Sequence, residues 1–274
     1  MAVVREEGEM LWLDFGDGAV QSRMLRADPA RLVLEYTRLM MGFLLLHPAP
    51  ERITMIGLGG GSLAKYCAAH LPETDFTAVE IAPEIIALRD AFGIPPDGPR
   101  FRVLCQDGAT YVRADGDPPD VLIVDAFDRA GQPEDLCSAA FYDYCHDRLA
   151  PGGVLAVNLY VDDPAYDVRV ERIRDAFDGK VIIVDVSDAE NDLVFAGTGS
   201  TFPPAFGTLV ERLRALEPSH PIGLDIVLRK FAQYSNGRHA VRRRRREASR
   251  SSVHRDRRAG SMTKYLNIRR QVEA

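Results

Sequence analysis

Residues 54 to 66 read TMIGLGGGSLAKY, an apolar run that breaks into four glycines within five positions and resumes as a polar, helix-forming segment. The run Ile53 to Ile56 has the length and side chains of a buried strand. Gly57, Gly59, Gly60 and Gly61 allow a tight turn and a close approach of the backbone to a ligand, and Ser62 is predicted to cap the helix that follows. Strand, glycine turn and helix in that order mark a nucleotide-type site at the level of a class.

Outward from this stretch the same unit repeats. Strands are predicted at Phe76 to Val79, Phe101 to Cys105, Val121 to Val124, Val154 to Val157, Val181 to Val184 and Leu193 to Ala196. Helices are predicted over Leu63 to His70, Pro83 to Phe92, Phe141 to Leu149 and Asp167 to Phe177, with a last one around Leu209 to Leu216 introduced by Pro203-Pro204. Continuously apolar strands alternating with helices of about ten residues imply a parallel sheet covered on both faces, so the fold class is α/β, a doubly wound, mostly parallel seven-stranded sheet. Upstream, MLWLDFGDGAVQS alternates around Gly16-Asp17-Gly18 and reads as a short N-terminal β-hairpin. Asp28-Pro29 reads as a cap and first turn of a helix whose apolar positions, Leu32 to Phe43, recur at three and four residues until His47-Pro48. The expected organisation is a hairpin over 1–27, the α/β domain over 28–237 and a basic tail over 238–274.

Ligands of such sheets bind beyond the carboxyl ends of the strands, and here three successive strands end in an acid: Glu80, Asp107 and Asp125. Singly, each fits a turn or helix cap; jointly, they point to a site. Glu80 lies 23 positions after Gly57, the offset at which an acid accepts both ribose hydroxyls of a nucleotide, which by itself also fits NAD. Position 62 is serine where the dinucleotide fingerprint wants glycine, and no GxxxxGK loop is present for a triphosphate. Asp107 suits the amino group of adenine. Adenosine without phosphates between carboxylates points to a cationic sulfonium cofactor, because acidic walls repel phosphate and favour positive sulfur. Ile81 and Gly108, beside Glu80 and Asp107, join the expected cofactor contacts. Asp125 and Asp128 then form a carboxylate pair three residues apart. Such a pair attracts an ammonium group and takes the proton that an amine of pKa about 10 must lose before it can attack carbon. Asp128 also fits a simple turn cap.

The totals set bounds. A chain of 274 residues, 46% hydrophobic and 27% charged, can bury a full core. No apolar run reaches the roughly 20 residues of a membrane helix, and Arg5, Glu6, Glu7 and Glu9 do not resemble a secretory signal, so a cytoplasmic location is expected. The four cysteines include no CxxC pair and read as reduced core thiols, and no metal site is expected. The net charge of -6 is uneven: from Arg238 onward there are 13 Lys and Arg against 3 Asp and Glu, leaving 21 against 37 before it. This tail, with Arg242 to Arg246 in a row, has the composition of a disordered segment, and any nucleic-acid contact is expected through it alone.

The motifs LDFGDGAVQS, LEYTRLMM, IGLGGGSLAK, VEIAPEII, CQDGATYV, VLIVDAFD and LAPGGVLAVNL, from about Leu13 to Gly197, resemble in order and spacing the spermidine synthases, or polyamine aminopropyltransferases, and their spermidine synthase-like relatives. The resemblance implies a class I methyltransferase-like, Rossmann-type sheet with a last antiparallel strand, and a homodimer. It also implies Glu80 on the ribose, Asp107 at the adenine, Asp125 as the base, Asp128 holding the polyamine, and Gln21 and Tyr36 near the substrate. The implied reaction moves an aminopropyl group from decarboxylated S-adenosylmethionine to a diamine such as putrescine. Two departures stand out. The family's glycine run is followed by an aspartate that grips the donor's free amine, and Ser62 stands there instead. The family also begins with a larger β-domain than the twenty or so residues available here. The serine keeps open methyl transfer from S-adenosylmethionine to an unknown acceptor, and a non-catalytic adenosyl-binding module with a nucleic-acid-binding tail is the alternative of another class.

Overall fold

The computed structural model describes residues 3–14, 20–128, 131–187 and 190–235. The turn of the expected hairpin, the side chain of Gln21 and the arginine-rich tail lie outside these residues.

Three N-terminal strands, β1 (Val3–Glu7), β2 (Met10–Asp14) and β3 (Val20–Leu25), form an antiparallel sheet in chain order. The expected hairpin is its β2 and β3; β1, the charged VVREE, adds an edge that alternation alone does not reveal. Seven further strands form the main sheet: β4 (Arg52–Ile56), β5 (Asp75–Glu80), β6 (Phe101–Cys105), β7 (Val121–Val124), β8 (Val154–Tyr160), β9 (Val181–Asp185) and β10 (Asn191–Gly197). Their order is β6-β5-β4-β7-β8-β10-β9, parallel except for β10, which runs antiparallel between β8 and β9. The chain winds outward from β4 through β5 and β6, then returns to the other side of β4 with β7. The crevice between β4 and β7 is therefore the switch point at which ligands bind in open sheets of this kind. The expected fold class is the observed one.

The sheet is fully buried at its centre, with Val121 to Val124 and Val154 to Val157 essentially without exposure. Helices α3 (Ser62–His70), α4 (Pro83–Ile86), α5 (Gly108–Arg113), α6 (Ala139–Arg148), α7 (Tyr166–Ala176), α8 (Phe206–Leu216) and α9 (Leu224–Ser235) follow the strands, after the short α1 (Glu35–Met40) and α2 (Phe43–Leu46). Both sheets belong to one compact unit, Met1–Ala232. No helix among the described residues is long and apolar enough to cross a membrane.

Four local expectations are corrected. The helix predicted from Pro29 until His47-Pro48 is a turn at Asp28 to Arg31 and then two short helices broken at Gly42, where a side chain would collide with Val227 of α9 at 2.5 Å. Tertiary packing there overrides a regular apolar stripe. Ser62 does not cap α3: the cap position is Gly61 in the left-handed region, and Ser62 is already the first helical residue. Pro83 starts a helix of one turn, after which the chain passes through turns rather than reaching Phe92 as helix. Among the cysteines, Cys67, Cys137 and Cys145 are buried, but Cys105 at the end of β6 is exposed. The sequence reading also missed α9, which buries Leu224, Val227, Leu228 and Phe231.

Two buried polar groups fix α3 in place. Lys65, with its ammonium pushed down to about 8 by burial, donates to the Phe92 carbonyl at 2.8 Å and so anchors the segment that backs the glycine turn. From the next position, the Tyr66 hydroxyl lies 2.8 Å from His220 Nδ1, and Tyr66 stacks on His70. Burial and the neighbouring His70 lower the affinity of His220 for a proton below its ordinary value of 6.5. A histidine held neutral by the fold contributes stability that is present above 6.5 and is lost as pH falls below it. The melting temperature is expected to fall between pH 7 and 5 more steeply in the wild type than in His220→Gln. Parallel curves for the two proteins count against His220 as the acid-sensitive contact.

Candidate active site

At the carboxyl ends of β4, β5, β6 and β7 a cleft of about 860 Å³ opens, walled on one side by the N-terminal sheet and α1. The first wall is the glycine turn. Gly57 takes φ +91, and a side chain on it would sit 2.3 Å from the carbonyl oxygen of Asp125. Only glycine lets the ends of β4 and β7 approach this closely while the chain turns. Gly57, Gly59 and Ser62 line the cleft. Gly60 and Gly61 do not: the space a side chain would need at Gly60 holds Ser22 and Phe92, and at Gly61 it holds Ile94. These two glycines serve close packing behind the turn. Ser22 of β3 accepts a 2.9 Å hydrogen bond from the Gly60 N–H, tying the N-terminal sheet to the turn.

Glu80, buried at the end of β5, holds the same turn from the opposite side. Its Oε2 accepts from the Leu58 N–H and its Oε1 from the Ala82 N–H, both at 2.9 Å. Each carboxylate oxygen keeps a second lone pair for a donor in the cleft. The next residue, Ile81, is 65% exposed although its side chain is large and apolar, and it lines the cleft beside Glu80. Asp107 caps α5: its Oδ1 accepts from the Thr110 N–H at 2.7 Å, and the Thr110 side-chain hydroxyl, followed by this backbone N–H, holds its carboxyl below the usual range. The cap and the cleft position coexist, since Asp107 and Gly108 both line the cavity.

Asp125 follows β7, its N–H continuing the ladder to the Ile56 carbonyl at 3.0 Å. Burial raises the pKa of its carboxyl, and hydrogen bonds from Asn158 and Tyr36 oppose the rise. Asn158 Nδ2 donates to Asp125 Oδ1 at 2.9 Å, and Asn191 Nδ2 donates to Asn158 Oδ1 at 2.8 Å. Tyr36 of α1, enclosed and next to this carboxylate, is held as the neutral phenol. Asp128 stands exposed on the same loop, braced by the two-way backbone pairing of Asp128 with Gly131. Glu80, Asp107, Asp125, Asp128 and Tyr36 thus share one cavity with Gly57, Gly59 and Ser62. Gln21 falls on β3.

Asn158 and Asn191 were not read from the sequence. Asn158 left a signal: a lone amide inside the apolar run VLAVNLY is costly to bury unless it is paired. Asn191 left none, because it opens a strand beside a turn and meets Asn158 only through the antiparallel placement of β10. Arg23 also lines the cleft, its guanidinium stacked on Trp12 at 3.7 Å.

The spermine/spermidine synthase domain model matches residues 34–166. The polyamine aminopropyltransferase of Neisseria meningitidis serogroup A is 34% identical over 240 residues, spanning 86% of this chain and 91% of that protein. A probable spermidine synthase from Corynebacterium glutamicum superposes with a TM-score of 0.64 at 21% identity, covering 77% of this chain and 83% of the other. Human methyltransferase-like protein 13, solved with SAH, gives 0.58 at 24% identity over 68% and 89%. The two solved structures share the fold, and with the sequence match across most of its length the chain belongs to the polyamine aminopropyltransferase (spermidine synthase) family.

Proposed function

We propose that this chain is a polyamine aminopropyltransferase, moving an aminopropyl group from decarboxylated S-adenosylmethionine to the primary amine of a diamine such as putrescine. The observation that carries the reading is the environment of Asp125: a carboxylate on the cleft, of raised pKa, fixed by Tyr36 and Asn158 and adjoined by the exposed acid Asp128. The residues present fit the donor. Glu80 has free lone pairs for ribose hydroxyls, Ile81 offers an apolar face to an adenine ring, and Asp107 offers an acceptor for its amino group. When bound, the donor supplies an electrophilic methylene beside positive sulfur, and 5'-methylthioadenosine is the group displaced. The acids of the wall favour that positive charge and the ammonium of the acceptor. Asp125 accepts the proton that the attacking nitrogen loses, so the new C–N bond forms as the C–S bond breaks. Positioning of the two partners in line supplies much of the remaining acceleration.

One observation favours a second reading. Ser62 and Arg23 both line the cleft, and neither repels a carboxylate, so S-adenosylmethionine itself can be accommodated and methyl transfer to another acceptor is the alternative. The purified chain given putrescine with either donor separates the two by product mass. An aminopropylated diamine with the decarboxylated donor supports the proposal; a methylated product from S-adenosylmethionine, with no aminopropyl product, overturns it. In the same assay Ser62→Asp is expected to raise the preference for the decarboxylated donor by roughly tenfold, the size of one added charge pair in a partly desolvated site. An unchanged preference removes Ser62 from donor selection.

A further inference from the structure

We infer that Asn191 is a positioning residue: by donating to Asn158 it fixes which end of the Asn158 amide faces Asp125. The inference rests on the reading of Asp125 as the base, and it concerns a residue that touches Asp125 only through another side chain.

A side-chain amide is nearly symmetric in shape but opposite in polarity at its two ends, so its orientation is decided by its partners. Asn158 is 3% exposed, and each end of its amide meets one partner: Nδ2 donates to Asp125 Oδ1 at 2.9 Å, and Oδ1 accepts from Asn191 Nδ2 at 2.8 Å. Turned over, the amide would set its oxygen against the Asp125 carboxylate and its NH2 against the NH2 of Asn191, two repulsive contacts in place of two attractive ones. Asn191 therefore makes the donor orientation the stable one. The fold makes this possible because β10 inserts antiparallel between β8 and β9. In that register Leu193 is opposite Asn158 and Asn191 is opposite Tyr160, which leaves the two amides diagonal neighbours on the cleft side of the sheet.

The consequence concerns the charge on Asp125. Burial opposes ionisation, and the bonds from Asn158 and Tyr36 favour it. With the Asn158 donor turned into an acceptor, only Tyr36 still donates, and the carboxylate faces a partial negative charge at hydrogen-bond distance. The other ionisable groups on the cavity are Tyr36 from α1, Arg23 from β3, Glu80 and Glu84 around β5, Asp107 after β6, Asp128 and Asp135 after β7, and Tyr160 from β8. They are common to the wild type and Asn191→Ala, so a difference between those two isolates the amide.

The test is a carbon-13 titration of the full chain labelled at aspartate carboxyls, with the Asp125 resonance assigned by its loss in Asp125→Asn. In Asn191→Asp the new carboxylate attracts Asn158 Nδ2 to turn the amide over, and its own charge adds to the rise. The Asp125 midpoint is expected to rise by about one pH unit or more, and the acid limb of any turnover profile with it. In Asn191→Ala the amide is released but not driven, and a rise of about half a unit is expected. A purely structural role would lower the melting temperature of both variants without moving the midpoint. An unchanged midpoint in folded Asn191→Ala overturns the inference, whatever the midpoint of Asn191→Asp. The titration needs no turnover, so it stands apart from the proposed reaction; failure of that reading alone shows as wild-type protein that makes no aminopropylated product while the midpoint still moves.

Discussion

Replacing Asp125 with asparagine is expected to lower aminopropyl transfer at pH 7 by roughly 10²- to 10⁴-fold, the range that a positioned general base contributes. The size follows from the acceptor. An alkylamine of pKa about 10 has only about one molecule in a thousand or fewer in the neutral, nucleophilic form at pH 7. Asparagine keeps the shape and can still accept from Asn158 at its one oxygen, but it cannot take a proton. The residual rate of the variant then depends on amine that is already neutral in solution, and it should climb about tenfold per pH unit toward pH 10. The wild type should instead lose activity as pH falls through the raised pKa of Asp125. Affinity for the adenosyl donor is expected to change little. A variant that turns over at the wild-type rate, or whose rate is flat between pH 7 and 9, removes Asp125 from the role of base.

Stability provides a second reading of the same substitution. Because burial raises the folded-state pKa of Asp125 above its ordinary 3.8, the carboxyl's contribution is most favourable below 3.8 and is progressively lost as pH rises through the folded-state value. At neutral pH the ionised group is therefore a cost that the fold carries. Asp125→Asn is expected to melt no lower than the wild type at pH 7, and the difference should move in the wild type's favour under acid. Loss of activity in an equally or more stable protein excludes unfolding as its cause. This is the usual exchange between stability and a site that needs a charge in a partly dry place.

How far the sequence reveals this site depends on whether a feature is local. The strands Ile53 to Ile56 and Val121 to Val124 are unbroken apolar runs between turn residues, so the parallel sheet and the acids at its carboxyl edge were readable from pattern alone. The glycine turn was readable as a turn, but not in its division of labour. Gly57 and Gly59 face the cleft, whereas Gly60 and Gly61 make room for Phe92 and Ile94, which arrive from more than 30 positions away. Ser62 looked like a helix cap because serine so often is one, yet the left-handed Gly61 already ends the turn and leaves the serine inside the helix. Helix α9 did carry a signal, Leu224, Val227, Leu228 and Phe231 at helical spacing, that the sequence reading passed over. Asn191 shows the opposite limit. Its meaning depends on the placement of β10 between β8 and β9, and no property of residues 188 to 194 encodes that order.

Glu80→Gln is expected to produce the other large effect, on binding rather than on chemistry. The wild-type carboxylate accepts from the Leu58 and Ala82 N–H groups at once, one oxygen each. Glutamine has one acceptor oxygen, so one of those two N–H groups must face an NH2 donor and go unpaired. An unsatisfied buried donor costs about 1 to 3 kcal/mol, part of which is recovered if the turn loosens toward water. The same change removes one of the two acceptors offered to the ribose. Affinity for 5'-methylthioadenosine, which carries the ribose but no charged tail, is expected to fall by roughly 10- to 100-fold, and the rise in melting temperature that this ligand gives the wild type should largely vanish. The two contributions separate in one set of calorimetric measurements. A lowered melting temperature with wild-type affinity would mean that Glu80 only braces the turn; full wild-type behaviour in both would remove Glu80 from the site and, with it, the placement of adenosine against the ends of β4 and β5.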